Sequence, residues 1–277
     1  MLTTDVLFHR SPDPAGAGVV LTLDLALQGL PGIAHGGSVL AALDSGAGFG
    51  GVRQISGVYR RRVPLGVPLT LETAMAADDG AVSRLRHGDL VLVDGRVAAC
   101  ALPELAAPAR LPGGTPLPIS DTCFVCGRDN AAGLRAELRF DDTQVFGAWS
   151  PPERFRTIDG CLAPLALTCL LDEAAFWLGA LASGESGMTT ELSVALADHV
   201  SADGPLTLSG MRGPVRPEPH DPRYWRTHIA AFDPSGRVVA AAEITFVAVR
   251  GAARKLGAWL GPLNPPGLMS RIFPSCA

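Results

Sequence analysis

Between Gly160 and Ala182 the chain reads GCLAPLALTCLLDEAAFWLGALA, apolar along its whole length except at its centre, where Asp172 and Glu173 stand side by side. An uncharged run of that length would suit a bilayer, and two adjacent acids at its middle argue against one. As a helix it is apolar on nearly every face, so the rest of a fold must wrap around it. The acids then have two readings. Either both face a wet edge and only keep the helix soluble, or they are carried inside, where a carboxylate must be paired, hydrogen-bonded or protonated.

A second stretch of the same build lies much earlier. His35–Gly48 reads HGGSVLAALDSGAG, with Asp44 nine residues after His35; nine residues before Asp172 is Ala163. Aligned, HGGSVLAALD and APLALTCLLD share an apolar helical body and the aspartate, and differ in their first three residues. This weak internal repeat divides the chain of 277 residues into two halves.

The flanking segments follow the same order in each half. VVLTLDL reads as a strand, and the loop QGLPGIA leads into the His35 helix. Strand-like runs VYRRRV, PLTLETAM, SRLRHGDLVLVDG and RVAACAL follow, broken at Pro64, at Asp78-Asp79-Gly80 and at Asp94-Gly95. The second half offers GLRAELRF and QVFGAW, then the long helix, then TTELSVAL, PLTLSGM, YWRTHIAAF and RVVAAAEITFVAV. The class is α+β. Composition sets the expected limits at 1–105, a Pro/Gly-rich linker at 106–120, 121–250, and a tail at 251–277 whose LGAWL patch could dock on the body.

A formal charge of −4 argues against nucleic acid as a partner. MLTTDVLFHR carries no secretory pattern, and Cys161 and Cys169 fall within the apolar run, so a cytoplasmic protein with reduced cysteines is expected. Cys123 and Cys126 form a CxxC without a second ligand pair at zinc spacing, so no metal site is expected. The glycines of Gly46–Gly51 match GxGxxG only formally, because they follow a helix instead of opening one.

The HGG that opens the first helix, with aspartate at the ninth position, resembles the acyl-CoA thioesterases of the hotdog superfamily, phenylacetyl-CoA thioesterase-like. CFVCGRDNAAGLRAELRF in the second half resembles the CFxCG–N–GL opening of related thioesterase-like proteins. The resemblance implies a double hotdog, two antiparallel sheets each wrapped around a long central helix, with active sites straddling the two units. It implies that the N–H after the histidine receives the thioester oxygen and that the other unit's carboxylate activates water or attacks directly. A helix N-terminus suits the first task, since its N–H groups lack partners and the macrodipole is positive there.

Carried onto this sequence, site one pairs Gly36 with Asp172, with Glu173 as a substitute acid and Thr189 at the position of a family hydroxyl that holds the attacking water. Site two would pair Asp44 with Pro164; proline has no N–H to donate and Ala163 replaces the histidine, so that site should be degenerate. His35 and Gly37 belong to the substrate-binding turn, although His35 could merely cap the helix. Gln28 could polarise the carbonyl but is offset by one from the family's amide. Arg60, Arg61 and Arg62 are candidates for the coenzyme A phosphates, or else a solvated strand edge. The hydratases of the superfamily need a histidine beside an acid, a combination that neither helix carries in the expected place.

The expected activity is therefore hydrolysis of an acyl-CoA or acyl-carrier thioester, with no metal and no cofactor beyond the CoA of the substrate, and no membrane span. The rivals are a non-catalytic acyl-CoA or lipid-binding protein and a pure assembly module. The outer sheet faces leave room for a homodimer.

Overall fold

In the computed structural model residues 4–274 are described, apart from 15, 17, 109, 110 and 112. Part of the expected linker, and Cys276, lie outside the described residues.

After a turn of helix α1 (Thr4–Leu7), the first half supplies β1 (Phe8–Pro12), β2 (Val19–Leu23), helix α2 (Gly36–Ala47), β3 (Arg53–Tyr59), β4 (Pro68–Met75), β5 (Ala81–His87) and β6 (Leu90–Ala99). The second supplies β7 (Thr115–Pro116), β8 (Arg139–Phe140), β9 (Gln144–Trp149), helix α3 (Pro164–Ser183), β10 (Gly187–Leu196), β11 (Leu206–Met211), β12 (Arg216–Pro217), β13 (Tyr224–Phe232) and β14 (Val238–Ala248). Helices α4 (Ala252–Leu260) and α5 (Leu268–Ile272) form the tail.

The strands make one antiparallel sheet, in the order β1-β2-β4-β5-β6-β3-β10-β14-β13-β11-β9-β8-β7, with β12 on β13. Two separate sheets were expected. They are fused because β3 and β10 pair from Arg53–Leu196 to Val58–Glu191. Each would otherwise present a row of unpaired N–H and C=O groups at the middle of the molecule, and the pairing removes both edges.

Helix α2 packs on β3–β6, and α3 on β9, β10, β11, β13 and β14. Fourteen of the twenty residues of α3 are buried, as expected for a run apolar all round. By length and composition α3 could cross a membrane, but the fold wraps it. The two helices also touch each other. A Cβ on Gly37 would lie 2.3 Å from the Thr168 carbonyl oxygen and 2.5 Å from the Cys169 Cα. Only glycine permits that crossing.

Several local readings need correction. The strand before the arginines is Arg53–Tyr59 and ends before Arg60, so Arg60–Arg62 lie in the bend that follows it. Asp94-Gly95 does not break β6; the turn is at Gly88-Asp89, where Gly88 has φ +56°. Asp94 sits inside the strand because it pairs across it with Arg60 and Arg84. Of GLRAELRF only Arg139–Phe140 is strand. Thr115–Pro116, within the expected linker, joins the sheet edge. The five described cysteines are free thiols.

Candidate active site

Helix α2 begins at Gly36, with extended His35 as its N-cap. Helix α3 runs past this end and presents the buried Asp172 to it. The Gly37 N–H donates to Asp172 Oδ2 at 2.9 Å, and the Thr189 hydroxyl, from β10, donates to Oδ1 at 2.9 Å. His35 Nδ1 lies 3.0 Å from Oδ2. The carboxylate therefore has three donors, two from the first half of the chain and one from its own half.

The ring nitrogens of His35 are both engaged, since Nε2 lies 3.3 Å from Glu173 Oε2. Gly37 N is 3.3 Å from Nδ1, which as an acceptor would cap the helix. That alternative would leave a lone pair of Nδ1 facing a carboxylate oxygen, so the proton sits on Nδ1 and the Gly37 N–H belongs to the closer Asp172. Burial opposes a charged imidazole here, but its contacts with Cys169, Asp172 and Glu173 leave the His35 pKa well above its ordinary value. Burial keeps Cys169 a neutral thiol, so the two carboxylates are the groups that hold the proton.

The other oxygen of Glu173 accepts from Trp177 Nε1 at 3.0 Å, one helical turn on. The Tyr59 hydroxyl donates to the Gly36 carbonyl at 2.7 Å. Burial, then the charge of Asp172, pushes that phenol well above its usual pKa, so it remains a donor. The Gly36 N–H has no hydrogen-bond partner among the described residues.

These groups wall a cavity of about 250 Å³. Gly36, Asp172, Glu173, Thr189 and His35 line it with Arg60, Arg61 and Arg62 at its rim, and Phe176, Trp177 and Met188 form an apolar side. The tail closes over it, with Leu256, Trp259 and Leu260 of the LGAWL patch in the wall. Arg60 pairs with Asp94. Arg61 and Arg62 are exposed and have no carboxylate partner among the described residues.

Gln28 is not brought to the cavity. Its amide donates to the Thr122 hydroxyl and accepts from Gly32 N at 2.8 Å, where it fastens the CFVCG segment to the loop before α2. Phe124 N to Gln28 O, at 2.6 Å, and Asn130 Nδ2 to Ala26 O, at 2.7 Å, continue that seam. Asp44 is gripped by the buried Arg53 through two bonds of 2.6 and 2.7 Å, and Pro164 is the first residue of α3. Neither lines the cavity.

Sequence reasoning missed Tyr59, Trp177, Cys123 and Cys126 as cavity residues. Trp177 could have been found, lying one turn beyond Glu173 on the same helix face. The cysteines could not, because the fold alone carries them to α3. The fold also supplies the histidine–acid pairing that neither helix carries alone, between His35 of α2's cap and Asp172 and Glu173 of α3.

No protein-family model matches this sequence, and no curated protein matches it. Solved structures do. A protein from Thermobifida fusca, assigned by name as a thioesterase II, is 18% identical with a TM-score of 0.65, over 90% of this chain and 100% of that one. A conserved protein of unknown function with the hot dog fold, from Alicyclobacillus acidocaldarius, is 12% identical with a TM-score of 0.61, over 89% and 97%. A trans-AT PKS dehydratase domain from Brevibacillus brevis is 13% identical with a TM-score of 0.51, over 79% and 86%. Likeness at such identity carries the fold and not the chemistry. The chain has the hotdog fold, shared over most of its length with proteins that bear thioesterase names.

Proposed function

We propose that this protein hydrolyses acyl thioesters, with coenzyme A or an acyl carrier as leaving group, at a single working site formed where two hotdog units in tandem meet. One observation carries the reading. The buried carboxylate of Asp172, from the second half, lies against the N-terminus of α2 in the first, in the wall of an apolar cavity.

The thioester carbonyl oxygen rests on the Gly36 N–H, where the helix dipole favours developing negative charge. A water held by the Thr189 hydroxyl gives its proton to Asp172 Oδ1 and attacks the carbonyl carbon. Asp172 returns that proton to the thiolate as the C–S bond breaks, leaving carboxylic acid and free thiol. The Gly37 N–H and His35 act on Oδ2 and fix the carboxylate in place. The apolar wall, including Trp259, takes the acyl group, and Arg61 and Arg62 take phosphate at the rim.

The counterpart pairing, Asp44 with Pro164, lacks these parts. Asp44 is committed to Arg53, and Pro164 has no N–H. Dehydration, the chemistry named for two of the structural neighbours, fits less well. A catalytic imidazole needs a ring nitrogen free for substrate, and both nitrogens of His35 face carboxylates.

The test is a panel of acyl-CoA and 3-hydroxyacyl-CoA thioesters assayed for both free thiol and enoyl product. Thiol release without enoyl product supports hydrolysis. Enoyl product overturns it in favour of elimination. Thermal stabilisation by ligand with neither product overturns it in favour of a non-catalytic binder.

A further inference from the structure

The CFVCG stretch offers chemistry that hydrolysis does not use. Cys123 and Cys126 line the cavity, and the Cys123 sulfur lies 4.0 Å from Glu173 Oε2. That same oxygen lies 3.3 Å from His35 Nε2. The three ligand atoms, one nitrogen, one sulfur and one carboxylate oxygen, all fall within 4.8 Å of one another, and all three residues are buried.

We propose that His35, Cys123 and Glu173 form a binding site for a borderline-soft divalent cation, Zn2+ being the natural occupant. Ligands about 2.0–2.3 Å from a tetrahedral zinc lie roughly 3.3–3.8 Å apart; the His35–Glu173 pair already has that spacing, and the cysteine sulfur must move inward to join it. Charge is matched as well. A neutral imidazole, a thiolate and a carboxylate sum to −2, so the loaded site is neutral and suited to a buried place. On loading, the cation takes the positions of the Nε2 and Sγ protons, and two protons leave to solvent.

Each ligand is already held from behind, which is the pattern of built metal sites. Asp172 fixes the tautomer of His35 by accepting from Nδ1 at 3.0 Å. Trp177 Nε1 holds the far oxygen of Glu173 at 3.0 Å. The Val125 N–H donates to the Cys123 sulfur at 3.3 Å. Cys126, three residues on, lines the same cavity. Sequence spacing hid this set, because its members come from a helix cap, a loop and a buried helix separated by 88 and 50 residues. A second cluster, Asp159, Cys161 and His199, also falls within 4.8 Å but is exposed.

The experiment loads the metal-free full chain with Co2+ and reads the thiolate-to-cobalt charge-transfer band. Zn2+ is then titrated against a chromogenic chelator. One equivalent of each metal should bind, with the band present. Cys123→Ser should abolish the band and weaken Zn2+ binding by 100-fold or more, Trp177→Phe should weaken it about 10-fold, and Cys161→Ser should change neither. No charge-transfer band in the wild-type protein would overturn the proposal, and that reading needs no variant to fold. So would a band that survives Cys123→Ser and vanishes in Cys161→Ser. Because nothing here is read from turnover, the site can stand if hydrolysis fails, and fall if it holds.

Discussion

The amide N–H of Gly37 and the carboxylate of Asp172, 135 residues apart, are joined by a hydrogen bond of 2.9 Å. The bond requires α2 and α3 to cross end against flank, and the two glycines of HGG are what let them do so. At Gly37 a Cβ would meet the backbone of α3, which cannot yield; at Gly36 it would meet the Asp172 side chain, with Oδ2 at 2.7 Å. Gly37→Ala should therefore destabilise the protein by about 1–3 kcal/mol or more, as overpacking does. Gly36→Ala should cost less stability and more turnover, by displacing the acid. Denaturant midpoints beside thiol-release rates separate the two, and the opposite ranking contradicts this account of the turn.

Thr189 donates to a charged carboxylate oxygen, a bond typically worth ~1.5–3 kcal/mol. Thr189→Val should lower kcat about 10–100-fold with the fold intact, and Thr189→Ser should restore most of it. Activity kept in Thr189→Val and lost in Thr189→Ser would mean that the methyl group matters and the hydroxyl does not.

Asp44 is a structural acid, and its removal should tell in stability. Asp44→Ala leaves the Arg53 guanidinium buried without its partner, which typically costs ~3–5 kcal/mol. A double replacement, Asp44→Leu with Arg53→Met, should recover much of that loss. Turnover per folded molecule should stay at the wild-type level in the double variant; a matching fall in kcat would assign Asp44 to chemistry.

Arg61 and Arg62 should act on binding alone. Replacing both with alanine should raise KM several-fold for CoA thioesters, leave kcat unchanged, and leave a phosphate-free pantetheine thioester unaffected. The KM of the wild-type protein for CoA substrates should also rise with salt. A kcat effect, or equal losses on both substrates, would remove them from phosphate recognition.

The sequence was most legible where a local pattern was enough. QVFGAW and YWRTHIAAF became β9 and β13 at the expected bounds, and the apolar run around Asp172 became a wrapped helix. It was least legible where tertiary pairing decided. Asp94-Gly95 looks like a turn, but Asp94 is held in mid-strand by Arg60 and Arg84. Nothing local announces that β3 will pair with β10 and fuse two sheets. In the site, Gly36, Asp172 and Thr189 could be placed together through the two-half repeat and the family resemblance. Gln28 could not, because a shift of one residue turned its amide toward Thr122. Tyr59 reaches the site only because β3 ends beside the start of α2.

The most direct measurement is a single-turnover comparison of wild type and Asp172→Asn on the best acyl-CoA of the panel, with ligand affinity followed separately by thermal shift. General-base loss should slow thiol release by about 10²–10⁴-fold while the acyl-CoA still stabilises the variant. An Asp172→Asn protein that binds its ligand and releases thiol at the wild-type rate would contradict the account, because this mechanism takes the water's proton on Asp172 and on no other group.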